Sequence, residues 1–199
     1  MNDYSDVEFP AFARMVIEAL EAAGVDYMVG GSLTLAAWGQ ARFTLDVDLV
    51  AQIRLSQTDR LSEELAKREV YVPADIMRDL ILDTRSDVPI NAIHGSTGYK
   101  ADLFPLREGD DLRKSALERK QKVTIEGLGE VYVHSPEDVI LYKIQYYAIS
   151  GQDKHVRDVA SILVRNGSLD MEYVDAWIVR LGLQKAWQEL RTAIGKLDA

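Results

Sequence analysis

Gly30-Gly31-Ser32-Leu33-Thr34-Leu35-Ala36-Ala37-Trp38-Gly39-Gln40-Ala41-Arg42-Phe43-Thr44-Leu45-Asp46-Val47-Asp48-Leu49-Val50 decides how the rest of this chain is read. It follows one apolar run, Tyr27-Met28-Val29, and ends inside a second. Glycines between a strand and a helix let backbone N–H groups approach an anion, and the helix N-terminus adds partial positive charge. Gly30, Gly31 and Ser32 are therefore a candidate phosphate cradle. The two-residue period of a strand puts Asp46 and Asp48 on one face, with Leu45, Val47 and Leu49 on the other. Adjacent carboxylates repel unless a cation sits between them, and hard divalent ions prefer such oxygens. Together, cradle and metal clamp suit a nucleoside triphosphate. Each half alone has a plainer reading: a tight turn capped by Ser32, and two polar residues on a solvated edge strand.

Gly-Gly-Ser followed by Asp-x-Asp resembles the signature of the nucleotidyltransferase superfamily, with its DNA polymerase beta-like fold. The longer form Arg42-Phe43-Thr44-Leu45-Asp46-Val47-Asp48 is similar to the AbiEii-type branch, known from toxin–antitoxin and abortive-infection systems. The interval from Ser32 to Asp46 is longer than in minimal members of the superfamily. Asp-x-Asp also fits the opening motif of haloacid-dehalogenase-like phosphatases, but that reading leaves Gly30-Gly31-Ser32 without a task.

The 199 residues are 47% apolar and 28% charged, which is ordinary for a globular chain of one domain or two small lobes. No apolar run is long enough to span a bilayer, and Met1-Asn2-Asp3-Tyr4-Ser5-Asp6 does not read as a signal peptide. The chain has no cysteine, which excludes disulfides, thiolate catalysis and Cys-ligated zinc. The expected location is the cytoplasm, with no membrane partner. A formal charge of −9 disfavours whole-surface binding to nucleic acid. Arg107 to Lys122 is a local basic exception, diluted by acids, and reads as a solvated helix of mixed charge or as a phosphate-backbone contact.

Helical spacing of Phe12, Met15, Val16, Ala19, Leu20 and Ala23 predicts a first helix ending at Gly24. Asp26 to Val29 reads as the first strand. A helix starting at Gly31, with Leu33, Ala36 and Ala37 inward, should reach Gly39, and Leu45 to Ile53 should form the second strand. Helices are expected at 58–68 and 73–82, strands at 88–93 and 99–104 around the turn at His94 to Gly98, and a helix at 110–120. A hairpin at 122–125 and 130–133 closes the α/β part. Ser135-Pro136-Glu137-Asp138 is then a helix start: an N-cap, Pro at the first position and acids in the first turn. From there the pattern is wholly helical, broken near Gly151, Gly167 and Gly182. The expected fold is α/β, a mixed sheet with flanking helices over residues 1–134, followed by a helical lobe over 135–199.

Asp102 lies in an otherwise apolar strand, Tyr99 to Phe104, where an unpaired carboxylate is costly. Either a neighbouring Lys or Arg pairs with it, or it joins the other acids. Lys143 falls within the apolar stripe of Val139, Ile140, Ile144 and Tyr147, and either snorkels or points into a cleft. Arg42 is long enough to reach a phosphate, or is an exposed loop arginine. His94, His134 and His155 show no zinc-ligand spacing, and Tyr146 and Tyr147 read as core.

The resemblance implies more. A third acid on a later strand completes a two-metal site in that superfamily, which makes Asp46, Asp48 and Asp102 the expected catalytic and metal-binding trio. AbiEii-type proteins have a Lys on the first helix of the helical lobe and an Asp on the next; Lys143 and Asp158 stand at those positions. Gly30, Gly31, Ser32, Arg42, Lys143 and Asp158 are thus the expected nucleotide-binding set, ATP being one candidate nucleotide. The implied activity is Mg²⁺- or Mn²⁺-dependent transfer of a nucleoside monophosphate to an acceptor hydroxyl. Acceptors in the branch are a tRNA 3′ end or a protein, or a small antibiotic in more distant relatives, and a cognate antitoxin is an implied partner. A non-catalytic nucleotide- or partner-binding protein of the same fold is the alternative.

Overall fold

The computed structural model describes residues 7–85 and 88–197; the hexapeptide Met1 to Asp6 lies outside the described residues. Helices and strands follow in chain order as α1 (Phe9–Ala22), β1 (Asp26–Val29), α2 (Leu35–Trp38), β2 (Asp46–Gln52), α3 (Thr58–Ala66), β3 (Val70–Tyr71), α4 (Ala74–Leu82), β4 (Ile90–His94), β5 (Lys100–Pro105), α5 (Asp111–Glu118), β6 (Gln121–Ile125), β7 (Gly129–Val133), α6 (Pro136–Ser150), α7 (Asp153–Arg165), α8 (Met171–Arg180) and α9 (Gln184–Gly195). The described strands form one mixed sheet in the order β3-β4-β5-β2-β1-β7-β6.

The alternation of β2 and β5 sorts the sheet into two unlike faces. Val47, Leu49, Ala51, Ala101 and Leu103 point into the main core, against Phe12, Ile17 and Leu20 of α1, Leu61 and Leu65 of α3, and Met77 of α4. On the opposite face the same strands carry Asp46, Asp48 and Val50, and Lys100, Asp102 and Phe104. The far end of that face, Met28 and Val50, is covered by Ala116 and Leu117 of α5. Its near end, bearing the charges, is left to a cleft.

The helices after β7 have their own core, built on Ile140, Ile144, Val159, Ile162, Val174, Trp177 and Leu190, with Leu35 of α2 inserted into it. Ser135 caps α6 as its sequence predicts, its Oγ accepting the Asp138 N–H at 3.2 Å. Behind that cap, Asp138 is wholly buried and accepts from Ser135 and Tyr173 at 2.7 Å each, tying α8 to the start of α6.

One expectation is corrected. The second helix does not begin at Gly31: residues 31–34 form turns, and α2 is a single turn with Leu35 buried, Leu33 only partly so and Ala36 exposed. Its length is set by anchors rather than propensity. Trp38 donates through Nε1 to the His134 carbonyl (2.7 Å), Asn166 donates to the Trp38 carbonyl (2.7 Å), and a Cβ on Gly39 would stand 2.5 Å from Ser161 Oγ. The basic stretch follows its mixed-charge reading over α5, where Lys114 is exposed, with its other cations engaged. Arg107 is buried, donating to the backbone carbonyls of Leu80, Asp83, Pro105 and Val88. Arg113 pairs with Asp110, Arg119 with Glu137, Lys120 with Asp26 and Lys122 with Glu130.

Candidate active site

The register of β2 on β5 builds the acidic centre. The strands run parallel with Asp48 opposite Asp102 and Asp46 opposite Lys100, so residues 54 positions apart in sequence become neighbours on one face. Asn91 of β4 lies opposite Asp102 on the other side. Asp102 therefore has both oxygens engaged: Oδ1 accepts from Asn91 Nδ2, and Oδ2 from Lys100 Nζ at 2.8 Å. Both sequence readings of Asp102 are realised at once, an ion pair with a neighbouring lysine and a place beside the other acids. The hydrogen bond to Asp102 also raises the Lys100 pKa.

Asp48 is the strained member. Burial raises its carboxyl to about 6, and the charges of Asp102 and Asp46 push the same way; Lys143 and Lys100 oppose them. Crowded carboxylates of this kind offer hard oxygen ligands to a divalent cation. Among the described residues no three acidic or histidine side chains stand as a ready-made metal cage. The donor set still fits such an ion, because the repulsion at Asp48 is what a cation would relieve.

The Gly30-Gly31 turn wraps the end of β1 onto this centre. Gly30 N–H donates to the Asp48 carbonyl at 2.8 Å. Gly31 has φ +60°, and a Cβ there would lie 1.9 Å from Asp48 Oδ2, so only glycine lets the backbone come this close. Ser32 does not cap α2. Its hydroxyl instead accepts from Arg42 Nη2.

Arg42, Lys143 and Asp158 meet over a long sequence separation. Asp158 is buried on α7 and receives Lys143 Nζ at 2.7 Å and Arg42 Nε at 3.3 Å. Lys143 neither snorkels nor stands free: it is 4% exposed, and burial lowers its pKa against the opposing pull of Asp158. All nine sequence-predicted residues border one region. Gly31, Ser32, Arg42, Asp46, Asp48 and Lys143 line a groove of about 380 Å³, with Gly30 in an adjoining narrow pocket, Asp102 across the strand from Asp48 and Asp158 beneath the two cations.

Other residues join them. His134 and Tyr142 stack with ring centroids 5.0 Å apart beside Gly30, and burial drives the His134 pKa to about 3, keeping the ring neutral. Tyr146 is not core: it is 45% exposed, lines the groove and stacks on His155, whose pKa burial lowers to about 4. A signal was present in their spacing, since Tyr142, Lys143 and Tyr146 share one side of a helix. Tyr146 and Ile149 also line a second groove of about 620 Å³, bordered by Glu108, Asp110, Gln145 and Trp177.

Solved structures of similar fold include the antibiotic-resistance factor ANT(2″)-Ia, at 16% identity and TM-score 0.55 over 95% of this chain and 96% of that one. A nucleotidyltransferase-like protein from Paracoccidioides brasiliensis aligns at 18% identity and TM-score 0.53, covering 94% and 92%. This chain has a nucleotidyltransferase fold. The lincosamide adenylyltransferase LnuA, solved with lincomycin, aligns at 13% identity and TM-score 0.50, covering 78% of this chain and 98% of its own. No family model matches the sequence, and no curated protein does. The likeness is thus to the superfamily's fold; the AbiEii-type branch is not distinguished by it. Among the described residues no helix is long and apolar enough to cross a membrane.

Proposed function

We propose that the protein transfers a nucleoside monophosphate from a nucleoside triphosphate to an acceptor hydroxyl. The observation that carries this reading is the meeting of Asp46, Asp48 and Asp102 on one sheet face, with the Gly31 backbone against Asp48 and the Arg42–Asp158–Lys143 cluster beside them. Asp46 and Asp48 would hold Mg²⁺ or Mn²⁺. When bound, a divalent ion there supplies charge neutralisation for the triphosphate and for the pyrophosphate that leaves. Gly31, Ser32, Arg42 and Lys143 bind the β- and γ-phosphates, with Asp158 holding both cations in place. The acceptor oxygen attacks the α-phosphorus, the bond to the β-phosphate oxygen breaks, and Asp102 takes the acceptor's proton.

The acceptor enters through the groove of about 620 Å³ that Tyr146 also lines. That volume suits a small polar molecule. Within 107–122, Arg113, Arg119, Lys120 and Lys122 are paired with nearby acids, which argues against that stretch as a track for an RNA backbone. Structural neighbours crystallised with adenylyl-2″-tobramycin and with lincomycin accord with a small acceptor. The second reading, a tRNA 3′ end or a protein hydroxyl in a toxin–antitoxin setting, is favoured by the Arg42-x-Thr44-x-Asp46-x-Asp48 motif. Incubation of each α-³²P-NTP and Mg²⁺ with a cell lysate separates them. Label in the small-molecule fraction supports the first; label sensitive to RNase or to protease supports the second. No label above that of Asp46→Ala/Asp48→Ala with any NTP, in lysate or with panels of small hydroxylated acceptors, contradicts transfer itself.

A further inference from the structure

Asp46, Asp48 and Asp102 share their sheet face with a lysine. Lys100 is opposite Asp46 in the β2–β5 register and two residues from Asp102, so its side chain rises from the same face as all three acids. Its ammonium lies 2.8 Å from Asp102 Oδ2, while Asn91 holds Oδ1 from the far side. Burial does not force this contact, because the Lys100 side chain is 44% exposed and has solvent to turn to.

We infer that Lys100 is a resident cation that takes the place of a second divalent ion at Asp102, so that the site binds one ion, at Asp46 and Asp48, instead of two. The inference rests on the nucleotidyl-transfer reading and deepens it. A divalent ion approaching Asp102 must either displace an ammonium tethered two residues away or share the carboxylate with it at repulsive distance. Three carboxylates and one ammonium leave two negative charges, which a single divalent ion matches. During transfer, Lys100 would then supply the positive charge beside the attacking oxygen. Asn91 has the complementary positioning role, since its amide fixes which oxygen of Asp102 faces the lysine.

The test is Mn²⁺ binding alone, followed by the electron paramagnetic resonance signal of the free ion, for wild type, Lys100→Met and Lys100→Arg. Lys100→Gln is held in reserve should the Met variant fail to fold by its melting curve. Wild type and Lys100→Arg should bind one ion per chain. Lys100→Met should gain a second site, at least about tenfold tighter than any second site in wild type, the scale of losing a charged hydrogen bond. Two ions of similar affinity in wild type, or no second ion in Lys100→Met, would overturn the inference. The α-label assay keeps the two ideas apart. Wild type that binds two ions and still moves label removes only the role of Lys100, whereas one bound ion with no transfer to any acceptor removes the transferase reading.

Discussion

Replacing Asp48 by Asn should make the metal-free protein more stable at neutral pH while ending its activity. The Asp48 carboxyl ionises at about 6 in the fold against an ordinary 3.8, first because it is buried and then because Asp102 and Asp46 repel its charge. A folded pKa above the unfolded one means that the native state holds the proton more tightly. The sign follows: ionised Asp48 imposes no penalty below about pH 3.5, a growing one from there to about pH 6, and the full one above. That penalty is about 3 kcal/mol, and relaxation of the partly solvated site brings the expected gain to about 2 kcal/mol. Asn is neutral throughout, so the variant should melt roughly 4–8 °C above wild type at pH 7.5 in EDTA. The gap should shrink to about a third by pH 4.5 and vanish below about pH 3.5. Saturating Mg²⁺ should stabilise wild type and leave the variant nearly unmoved. Thermal melts at several pH values, with EDTA or Mg²⁺, measure all of this. A variant no more stable than wild type at pH 7.5, or a gap independent of pH, would refute the electrostatic account of Asp48.

Gly31→Ala places a Cβ at φ +60° and 1.9 Å from Asp48 Oδ2, so it should displace the carboxylate, cost about 1–2 kcal/mol in denaturant titrations and lower transfer about 100-fold. Lys143→Met leaves Asp158 buried with Arg42 as its remaining partner; it should cost about 2–3 kcal/mol and raise the KM for the triphosphate. Adding Asp158→Asn should return much of that stability but not the KM, which separates packing from phosphate binding. Arg107→Met removes donors to four backbone carbonyls and should cost about 2–3 kcal/mol. Hydrogen exchange should quicken at the end of α4, whose Leu80 carbonyl loses its donor.

The sequence made the local parts of the site legible. Gly30 to Ser32 after an apolar run and Asp46-x-Asp48 within another needed only the period of a strand, and Ser135-Pro136 marked α6 through its cap. What it concealed was long-range. Nothing local says that β5 runs parallel to β2 with Asp102 opposite Asp48 and Lys100 opposite Asp46, so the ion pair expected for Asp102 carried no hint that its lysine shares a face with all three acids. Arg42 and Asp158 are 116 positions apart, and their contact depends on α2 being pinned to α7 through Asn166 and Ser161. The same anchors cut α2 to one turn although the residues before it suit a longer helix. Arg107 read as part of a charged helix because its partners are backbone carbonyls, which leave no mark in a sequence.

Label position tests the central claim most directly. The protein is incubated with Mg²⁺, a responsive acceptor fraction, and the same nucleotide labelled either at the α- or at the γ-phosphate, with Asp46→Ala/Asp48→Ala alongside. Nucleotidyl transfer predicts α-label in the acceptor, γ-label released as pyrophosphate, and neither from the double variant. Label from the γ-phosphate in the acceptor, or equal α-labelling by the double variant, would contradict the account.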